Sequence, residues 1–258
     1  MIELEIFGIV ILSVVGVVLA YLICHVLLIL FLALIVDMKK DYARTSKFYE
    51  RFTNYSVWLI LKLINVKVVV NGKEKIPENS RFLFVANHRS NFDPMIARAM
   101  LGKYDLNFIS KPQNFDLPIV KCFLHRMKFL AIDRDNPRSS LKTLNKAIEY
   151  IKNDEGSMGV YPEGMRSFSG ELLPFHDGVF KVALKANVPV VVACMTGQET
   201  IKNKAPFKKS VVKFDILDVL PIEEKMTSHD LADKARTGPL PQHRSRPCTF
   251  MKFPPFGQ

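Results

Sequence analysis

The hydrophobic pattern divides the chain into an apolar N-terminal segment and a longer region of alternating short patterns. From Ile6 to Val36 there is no Asp, Glu, Lys or Arg, and Ser13 and His25 are the polar interruptions. A helix of that length extends roughly 46 Å, whereas a bilayer core needs only about 20 apolar residues. The pattern therefore predicts a membrane anchor over residues 1–40. It is either a single tilted span or a helical hairpin bent near Gly16.

The residues that flank the apolar run indicate how it is placed in a membrane. Glu3 and Glu5 precede it and no basic residue does, unlike a secretory signal peptide, so we expect the anchor to stay uncleaved. Five basic residues follow the run: Lys39, Lys40, Arg44, Lys47 and Arg51. This cluster predicts that the rest of the chain lies on the cytoplasmic face, and it also suits anionic lipid head groups. A stop-transfer flank with no further role is the alternative.

His25 is an ionisable residue inside the apolar run. Such a residue is a functional candidate by default, because charge is costly in a membrane. The sequence offers no second ionisable residue nearby, so we favour a neutral imidazole that bonds a neighbouring helix.

Residues 41–64 predict an interfacial helix, with a helical pattern over 46–64 that is amphipathic at first and apolar later. Tyr49, Tyr55 and Trp58 suit a position at the membrane surface. An ordinary helix packed on the globular domain is the alternative.

From residue 65 onward, short apolar runs alternate with helical patterns. The predicted strands are Val66–Val70, Arg81–Ala86, Phe129–Ile132, Met158–Tyr161, Pro189–Met195 and Val211–Val219. Helices are predicted from Asp93 to Met100 and after a cap at Ser139 or Ser140. This alternation predicts an α/β domain over 65–230 with a central, mostly buried sheet flanked by helices. Residues 231–258 predict a basic, Pro-rich, poorly ordered tail.

Composition limits the class of protein. The 258 residues carry a net charge of +11, 48% of them are hydrophobic, and Gly and Pro are ordinary, which excludes a disordered or fibrous chain. Four widely separated Cys without a CxxC pair argue against a disulfide scaffold or a zinc motif. The basic excess favours an anionic partner, whether a membrane, a phosphorylated substrate or nucleic acid.

The first group of candidate residues lies between a predicted strand and a predicted helix, in the segment Asn87–Asp93. His88 could act as a base and Asp93 as the carboxylate that orients it. The two side chains would lie about 140° apart on one regular helix, so they meet only if His88 precedes the helix. Donors in this turn could also stabilise an oxyanion. An Asp helix cap near an unrelated His is the alternative.

The second group, Val160–Ser167, also follows a predicted strand. Gly164 allows a close backbone approach, and Arg166 offers a planar bidentate donor to a phosphate. Glu163 could orient Arg166 or accept a hydrogen bond from a hydroxyl. A β-turn with a surface ion pair is the alternative.

Together, an NHxxxxD block and a YPEGxRS block about 70 residues later resemble the glycerolipid acyltransferases, including the 1-acylglycerol-3-phosphate acyltransferases. Two further segments fit the family. They are Ile109–Pro112 through Ala131–Arg134, and Phe175–Lys181 with Ala186–Val190. The resemblance covers roughly residues 65–220. Three residues depart from the usual pattern: Tyr161, Met165 and Ala193.

The resemblance implies a membrane-bound enzyme. It would move a fatty acyl group from acyl-CoA or acyl carrier protein to the sn-2 hydroxyl of 1-acyl-glycerol-3-phosphate, giving phosphatidic acid. His88 would be the general base and Asp93 would orient it. The expected substrate-binding residues are Lys111, Arg134, Glu163, Gly164, Arg166 and Ser167. No metal or cofactor is expected, and no GxSxG elbow is present, which favours direct attack without an acyl-enzyme.

Several other functions stay open at this point. The acceptor could be another lysophospholipid, glycerol 3-phosphate or a non-phosphorylated alcohol. The protein could instead be a non-catalytic binder of anionic lipids or a thioesterase. A nucleic-acid binder is disfavoured, because the sequence contains no recognisable motif for one.

Overall fold

The structure, a computed structural model, describes residues 2–42, 44–169 and 171–238, and in them a mixed β-sheet carries helices on both faces. The helices are α1 (Ile2–Leu34), α2 (Lys47–Leu63), α3 (Asp93–Leu101), α4 (Pro118–Arg126), α5 (Pro137–Lys152), α6 (Lys181–Ala186), α7 (Ile201–Lys204) and α8 (Ser228–Thr237). The strands are β1 (Val66–Asn71), β2 (Leu83–Ala86), β3 (Asn107–Ser110), β4 (Leu130–Ala131), β5 (Met158–Val160), β6 (Val190–Thr196) and β7 (Ser210–Leu220).

The strands form one sheet in the order β1-β7-β6-β2-β5-β3-β4. β2 lies between β5 and β6 and is parallel to both, and β3 and β4 extend this parallel part. β7 is antiparallel to β6 and parallel to β1. The carboxyl ends of β2 to β6 therefore share one edge of the sheet with the amino ends of β1 and β7. We call it the His88 edge, because His88 follows β2 there.

Both faces of the sheet are covered by apolar side chains. On one face α2 and α3 pack against the sheet, where Ile96, Leu101 and Phe84 are fully buried. On the other face α5, α6 and α8 pack, with Ala147, Val182 and Leu231 fully inaccessible. The strands of the middle of the sheet have no polar face because helices cover them on both sides. The predicted α/β class with a mostly buried central sheet is confirmed.

α1 is one continuous helix through Gly16, so the structure has no hairpin bend there. Within the described residues it alone is long and apolar enough to cross a membrane. Its apolar side chains are exposed along most of its length, and only Leu32 and Ala33 are buried. The structure therefore presents a mostly exposed apolar helix where the sequence predicts an anchor.

α2 packs on both α1 and the globular domain. Ser46 caps it, and Val57 and Leu61 enter the core beneath the sheet. The His25 imidazole lies 3.1 Å from the Ser56 hydroxyl, which confirms the prediction that His25 bonds a neighbouring helix. α2 is therefore a helix packed on the globular domain, while Trp58 on its other side stays 47% exposed. Its position at a membrane surface stays a prediction.

Several predicted boundaries differ from the structure. The sequence analysis missed β3 and α4, and it placed the cap of α5 at Ser139 or Ser140, whereas Asn136 caps a helix that begins at Pro137. α8 extends through residues 231–237, which were predicted to belong to the tail. Its buried Leu231, Ala232 and Ala235 hold it on the domain. Residues 239–258 of the predicted tail lie outside the described residues.

Candidate active site

The topology brings the two groups of candidate residues together at the His88 edge. β2 and β5 are adjacent and parallel, with Val85 opposite Val160. The turn after β2 carries His88, and the loop after β5 carries residues 161–167. Because carboxyl ends of neighbouring parallel strands meet at one edge, residues about 70 positions apart line the same site.

His88 and Asp93 form a hydrogen-bonded pair. The His88 Nδ1 atom lies 2.9 Å from the Asp93 Oδ2 atom. Asp93 is fully buried at the start of α3, whereas the His88 side chain is 20% exposed. With Nδ1 directed at the carboxylate, Nε2 is the ring nitrogen available to a bound substrate. The structure thus meets the condition that His88 lie in the turn before the helix.

The same Asp93 oxygen also holds the turn in place. It accepts hydrogen bonds from the backbone N–H groups of Arg89, at 2.7 Å, and Ser90, at 2.8 Å. Pro94 occupies the first turn of α3, where a missing N–H costs no helical bond. The carboxylate therefore orders the turn that precedes α3 and is the partner of the imidazole. It is not a helix cap near an unrelated His, because Phe92 is the N-cap residue of α3 and no side chain caps the helix there.

Tyr161 supports the other side of the imidazole. Its ring stacks on His88 with 4.4 Å between centroids and 19° between planes. Phe108 stacks on the same tyrosine at 5.6 Å. From the sequence alone, Tyr161 is only a departure from the usual family pattern and has no assigned role. No sequence signal reveals this contact, because it depends on β5 lying beside β2.

Glu163 connects the two motifs through the backbone. Its carboxylate accepts hydrogen bonds from the N–H of His88, at 2.6 Å, and of Leu173, at 2.9 Å, and the residue is only 3% exposed. Burial raises the pKa of Glu163, and the two amide bonds oppose that shift. In the described part of the chain it makes no bond to Arg166. Its position is that of a support for the His88 turn.

Ser167 makes a similar structural connection. Its backbone N–H donates to the His88 carbonyl oxygen at 2.8 Å, and its hydroxyl donates to the Glu171 carbonyl oxygen. The residue is buried. Ser167 thus fixes the loop to the turn with its backbone, and its hydroxyl is occupied within the loop.

Gly164 brings Arg134 into the site. Gly164 has a φ of +76°, and an added Cβ would lie 2.9 Å from the His176 ring and 3.4 Å from the Arg134 Nη1 atom. Partial burial lowers the pKa of Arg134 from its ordinary value, and the charge of nearby Asp135 opposes that shift only in part. Arg166 lies two residues away, with its guanidinium 5.2 Å from the Phe168 ring centroid. Within the described residues, neither Arg134 nor Arg166 forms an ion pair, so both cations could pair with an anionic substrate.

Lys111 follows β3 at the same edge and is exposed. In the described part of the chain it has no hydrogen bond or ion pair to the other site residues. Asn87 opens the turn whose donors could stabilise an oxyanion, but its side chain bonds both backbone groups of Met195, at 2.8 and 3.0 Å, and so joins β2 to β6. Among the described residues no cluster of His, Cys, Asp and Glu could hold a metal ion.

Comparison with known proteins agrees with this geometry. A model of the family described as Acyltransferase matches residues 67–196, half of the chain, from within β1 to the end of β6. The chain belongs to the acyltransferase family. The resemblance predicted from the two motifs is therefore confirmed.

Individual relatives of this acyltransferase carry related names. The probable 1-acyl-sn-glycerol-3-phosphate acyltransferase of Mycoplasma pneumoniae is 30% identical, over 69% of this chain and 67% of that protein. The 1-acyl-sn-glycerol-3-phosphate acyltransferase of Limnanthes alba is 26% identical, over 64% and 57%. That of Saccharomyces cerevisiae is 29% identical, over 57% and 48%. The chain thus spans about half to two thirds of the length of these relatives.

A solved structure has the same fold. The crystal structure of the 1-acyl-sn-glycerophosphate acyltransferase PlsC from Thermotoga maritima matches with a TM-score of 0.60 and 23% identity. The match covers 81% of this chain and 83% of that chain. At this identity the match supports the arrangement of sheet and helices, and the chemistry has to be argued from the site.

Proposed function

We propose that this acyltransferase moves a fatty acyl group from a thioester donor to the sn-2 hydroxyl of 1-acyl-glycerol-3-phosphate and produces phosphatidic acid. The observation that carries the proposal is the pairing of His88 with buried Asp93 beside two cations, Arg134 and Arg166. A base and a phosphate-binding group at one edge match an acceptor that carries both a hydroxyl and a phosphate. The names of the relatives support the same acceptor.

The chemistry follows from the geometry of His88. Asp93 holds the Nδ1–H tautomer, so Nε2 accepts the proton of the acceptor hydroxyl as its oxygen attacks the thioester carbonyl carbon. The tetrahedral intermediate then collapses and the carbon–sulfur bond breaks. The imidazolium returns its proton to the departing thiolate, and Asp93 stabilises the cation meanwhile. The products are the new ester and a free thiol.

Arg134 and Arg166 would bind the acceptor phosphate through charge-assisted hydrogen bonds. Glu163, Gly164 and Ser167 act through the loop: Glu163 and Ser167 hold it against the His88 turn, and Gly164 lets it approach Arg134 closely. Lys111 is proposed to contact the acidic donor, either acyl-CoA or acyl carrier protein, from the same edge. The proposed reaction uses no metal or cofactor.

The membrane context is part of the proposal. The exposed apolar surface of α1 and the basic residues that follow it support an anchor whose globular domain lies on the cytoplasmic side. A lysophospholipid resides in that membrane and the donor is cytoplasmic, so both substrates reach such an enzyme.

The test is an assay of the purified chain in lipid nanodiscs with a labelled acyl thioester and a panel of acceptors. We expect thiol release that depends on 1-acyl-glycerol-3-phosphate, and a diacyl product identified by mass. A preference for glycerol 3-phosphate or another lysophospholipid would identify that compound as the acceptor in place of 1-acyl-glycerol-3-phosphate. Thiol release with free fatty acid and no acceptor would contradict transfer and indicate a thioesterase.

A further inference from the structure

The loop between α7 and β7 carries an unusual side chain for a surface loop. This segment, Ala205–Lys209, is called the Phe207 loop below. Phe207 is 92% exposed, more than the 84% of Leu34 at the end of the apolar helix α1. An aromatic ring of this size gains free energy when it leaves water, so its full exposure is a feature to explain.

The charge around Phe207 narrows the choice of partner. Four lysines flank the ring in sequence: Lys202, Lys204, Lys208 and Lys209. None of them forms an ion pair with any residue that the structure describes. The nearby Glu199 is engaged by Arg89 at 3.5 Å. An apolar ring within a group of free ammonium ions suits an anionic lipid surface, where the ring enters the acyl boundary and the cations meet the phosphates.

The position of the loop relative to the anchor supports the same partner. Contacts between α1 and α2 pair Leu32 with Tyr49 and His25 with Ser56, so the two helices run antiparallel. The carboxyl end of α2 therefore points towards the apolar part of α1. The chain leaves α2 there, and the Asn65 carbonyl oxygen accepts a hydrogen bond from the Ser210 N–H at 3.0 Å. Ser210 directly follows the Phe207 loop, which thus lies beside the membrane-directed end of α2.

The loop also adjoins the candidate active site. It leads into the amino end of β7, which lies at the His88 edge. The ion pair between Arg89 and Glu199 connects the turn that holds His88 to the segment just before α7. Phe168, which follows β5 at the same edge, is 79% exposed. Exposed apolar side chains therefore occur on two sides of His88 at one edge of the sheet.

We propose that the Phe207 loop is a second membrane contact, separate from α1, in which Phe207 enters the interface of an anionic bilayer and the four lysines bind its phosphates. The contact turns the His88 edge towards the lipid, so that an acceptor reaches His88 without leaving the membrane. This last consequence rests on the proposed function, whereas the contact itself does not.

The single tryptophan of the chain makes a direct test possible. Trp58→Phe combined with Phe207→Trp places the only indole in the loop of the full-length protein. Trp58→Phe combined with Asn79→Trp is the matched control, because Asn79 is exposed in the segment that enters β2 from the opposite edge. Both proteins are reconstituted into vesicles of phosphatidylcholine and phosphatidylglycerol that contain brominated lipid.

We expect blue-shifted emission and quenching by bromine for the indole at position 207, and neither for the indole at position 79. Changing the four lysines to Gln should lower the equilibrium constant for docking of the loop about fivefold per lysine. This factor is the contribution of one basic side chain near an anionic surface. Equal quenching at both positions, or none at 207, overturns the proposal. A response of the indole at 207 to RNA and not to vesicles also overturns it.

A kinetic measurement separates this proposal from the proposed function. Phe207→Ser should raise the KM for a long-chain lysolipid in vesicles and leave transfer to a short-chain, water-soluble acceptor unchanged. Equal effects on both acceptors contradict a membrane role. If the wild type transfers to neither acceptor, the proposed function fails, while the quenching result still decides the membrane contact.

Discussion

The phenol ring of Tyr161 lies nearly parallel to the imidazole of His88, 4.4 Å away between ring centroids. Asp93 bonds the Nδ1 atom of the imidazole, and Tyr161 covers one of its faces. The Tyr161 hydroxyl is buried and has no hydrogen-bond partner within the described residues. Burial raises the pKa of this phenol well above its ordinary value, so it stays neutral. The ring, and not the hydroxyl, is therefore the part that serves His88.

Tyr161→Phe should retain activity and increase stability by about 1 kcal/mol, because it removes a buried hydroxyl without a partner and keeps the stack. Tyr161→Leu should lower kcat with a smaller change in KM, since the imidazole loses its support. Steady-state kinetics and thermal melting check both. Equal kcat values for the Phe and Leu variants would show that stacking has no role.

Gly164→Ala should destabilise the loop that carries Arg166. The residue has a φ of +76°, and an L side chain in the left-handed region costs about 1–2 kcal/mol. The new methyl group would also press on the His176 ring. Gly178→Ala is the matched control, because a Cβ there has nothing within 4 Å. We expect a lower melting temperature and a higher acceptor KM for Gly164→Ala only; similar effects at both glycines would argue against a special role of Gly164.

Arg166→Ala and Arg134→Ala should each raise the KM for the phosphorylated acceptor roughly tenfold or more, the effect of one lost charge-assisted hydrogen bond. Neither substitution should raise the KM for a non-phosphorylated acceptor to the same extent. Lys185→Ala removes an exposed charge at the end of α6, near the opposite edge of the sheet, and serves as the control. An unchanged KM in both arginine variants would remove the phosphate-binding role from them.

The sequence allowed the apolar anchor helix, most strands and the meeting of His88 with Asp93 to be predicted, because each depends on residues close together in the chain. β3 and α4 escaped prediction. β3 has apolar side chains only at Phe108 and Ile109, between Asn107 and Ser110. The start of α4 carries the exposed apolar residues Ile119 and Val120. Local patterning cannot identify a helix whose apolar side chains also face outwards.

The supports of the site could not be predicted for a different reason. The bond from Glu163 to the His88 backbone and the one from Asn87 to Met195 join residues 75 and 108 positions apart. They exist only because β5 and β6 flank β2. The YPEGxRS motif identified Glu163 but suggested that its side chain contacts the substrate or Arg166. In the structure the Glu163 carboxylate instead accepts hydrogen bonds from the backbone of His88 and Leu173. Pairing of distant strands decides such roles, and a single sequence does not encode that pairing locally.

Glu50 makes a pH dependence of stability testable. It lies on the buried face of α2, 3.9 Å from the buried Arg98, and burial raises its pKa above the ordinary value of 4.5. Well below pH 4.5 the side chain is neutral in both the folded and unfolded states. As the pH rises from there through the raised pKa, the folded state holds the proton more tightly and loses stability relative to the unfolded state.

Glu50→Gln removes this titration, so the wild type should become less stable relative to this variant as the pH increases from 4 to 7. Melting temperatures of the two proteins in detergent across that range measure the difference. Glu78→Gln, at an exposed position, should give a difference that varies little with pH. A wild type that gains stability relative to Glu50→Gln over this range would contradict the argument.

The role of His88 as general base is the central claim, and His88→Ala tests it most directly. His125→Ala is the matched control, since His125 lies on α4 and bonds the Lys40 carbonyl oxygen, away from the site. The measurement is acceptor-dependent thiol release by both variants in nanodiscs, with melting temperatures recorded alongside. We predict that His88→Ala loses roughly 10²–10⁴-fold in kcat and still unfolds cooperatively, whereas His125→Ala keeps its activity. Turnover near the wild-type rate in folded His88→Ala protein would contradict the account.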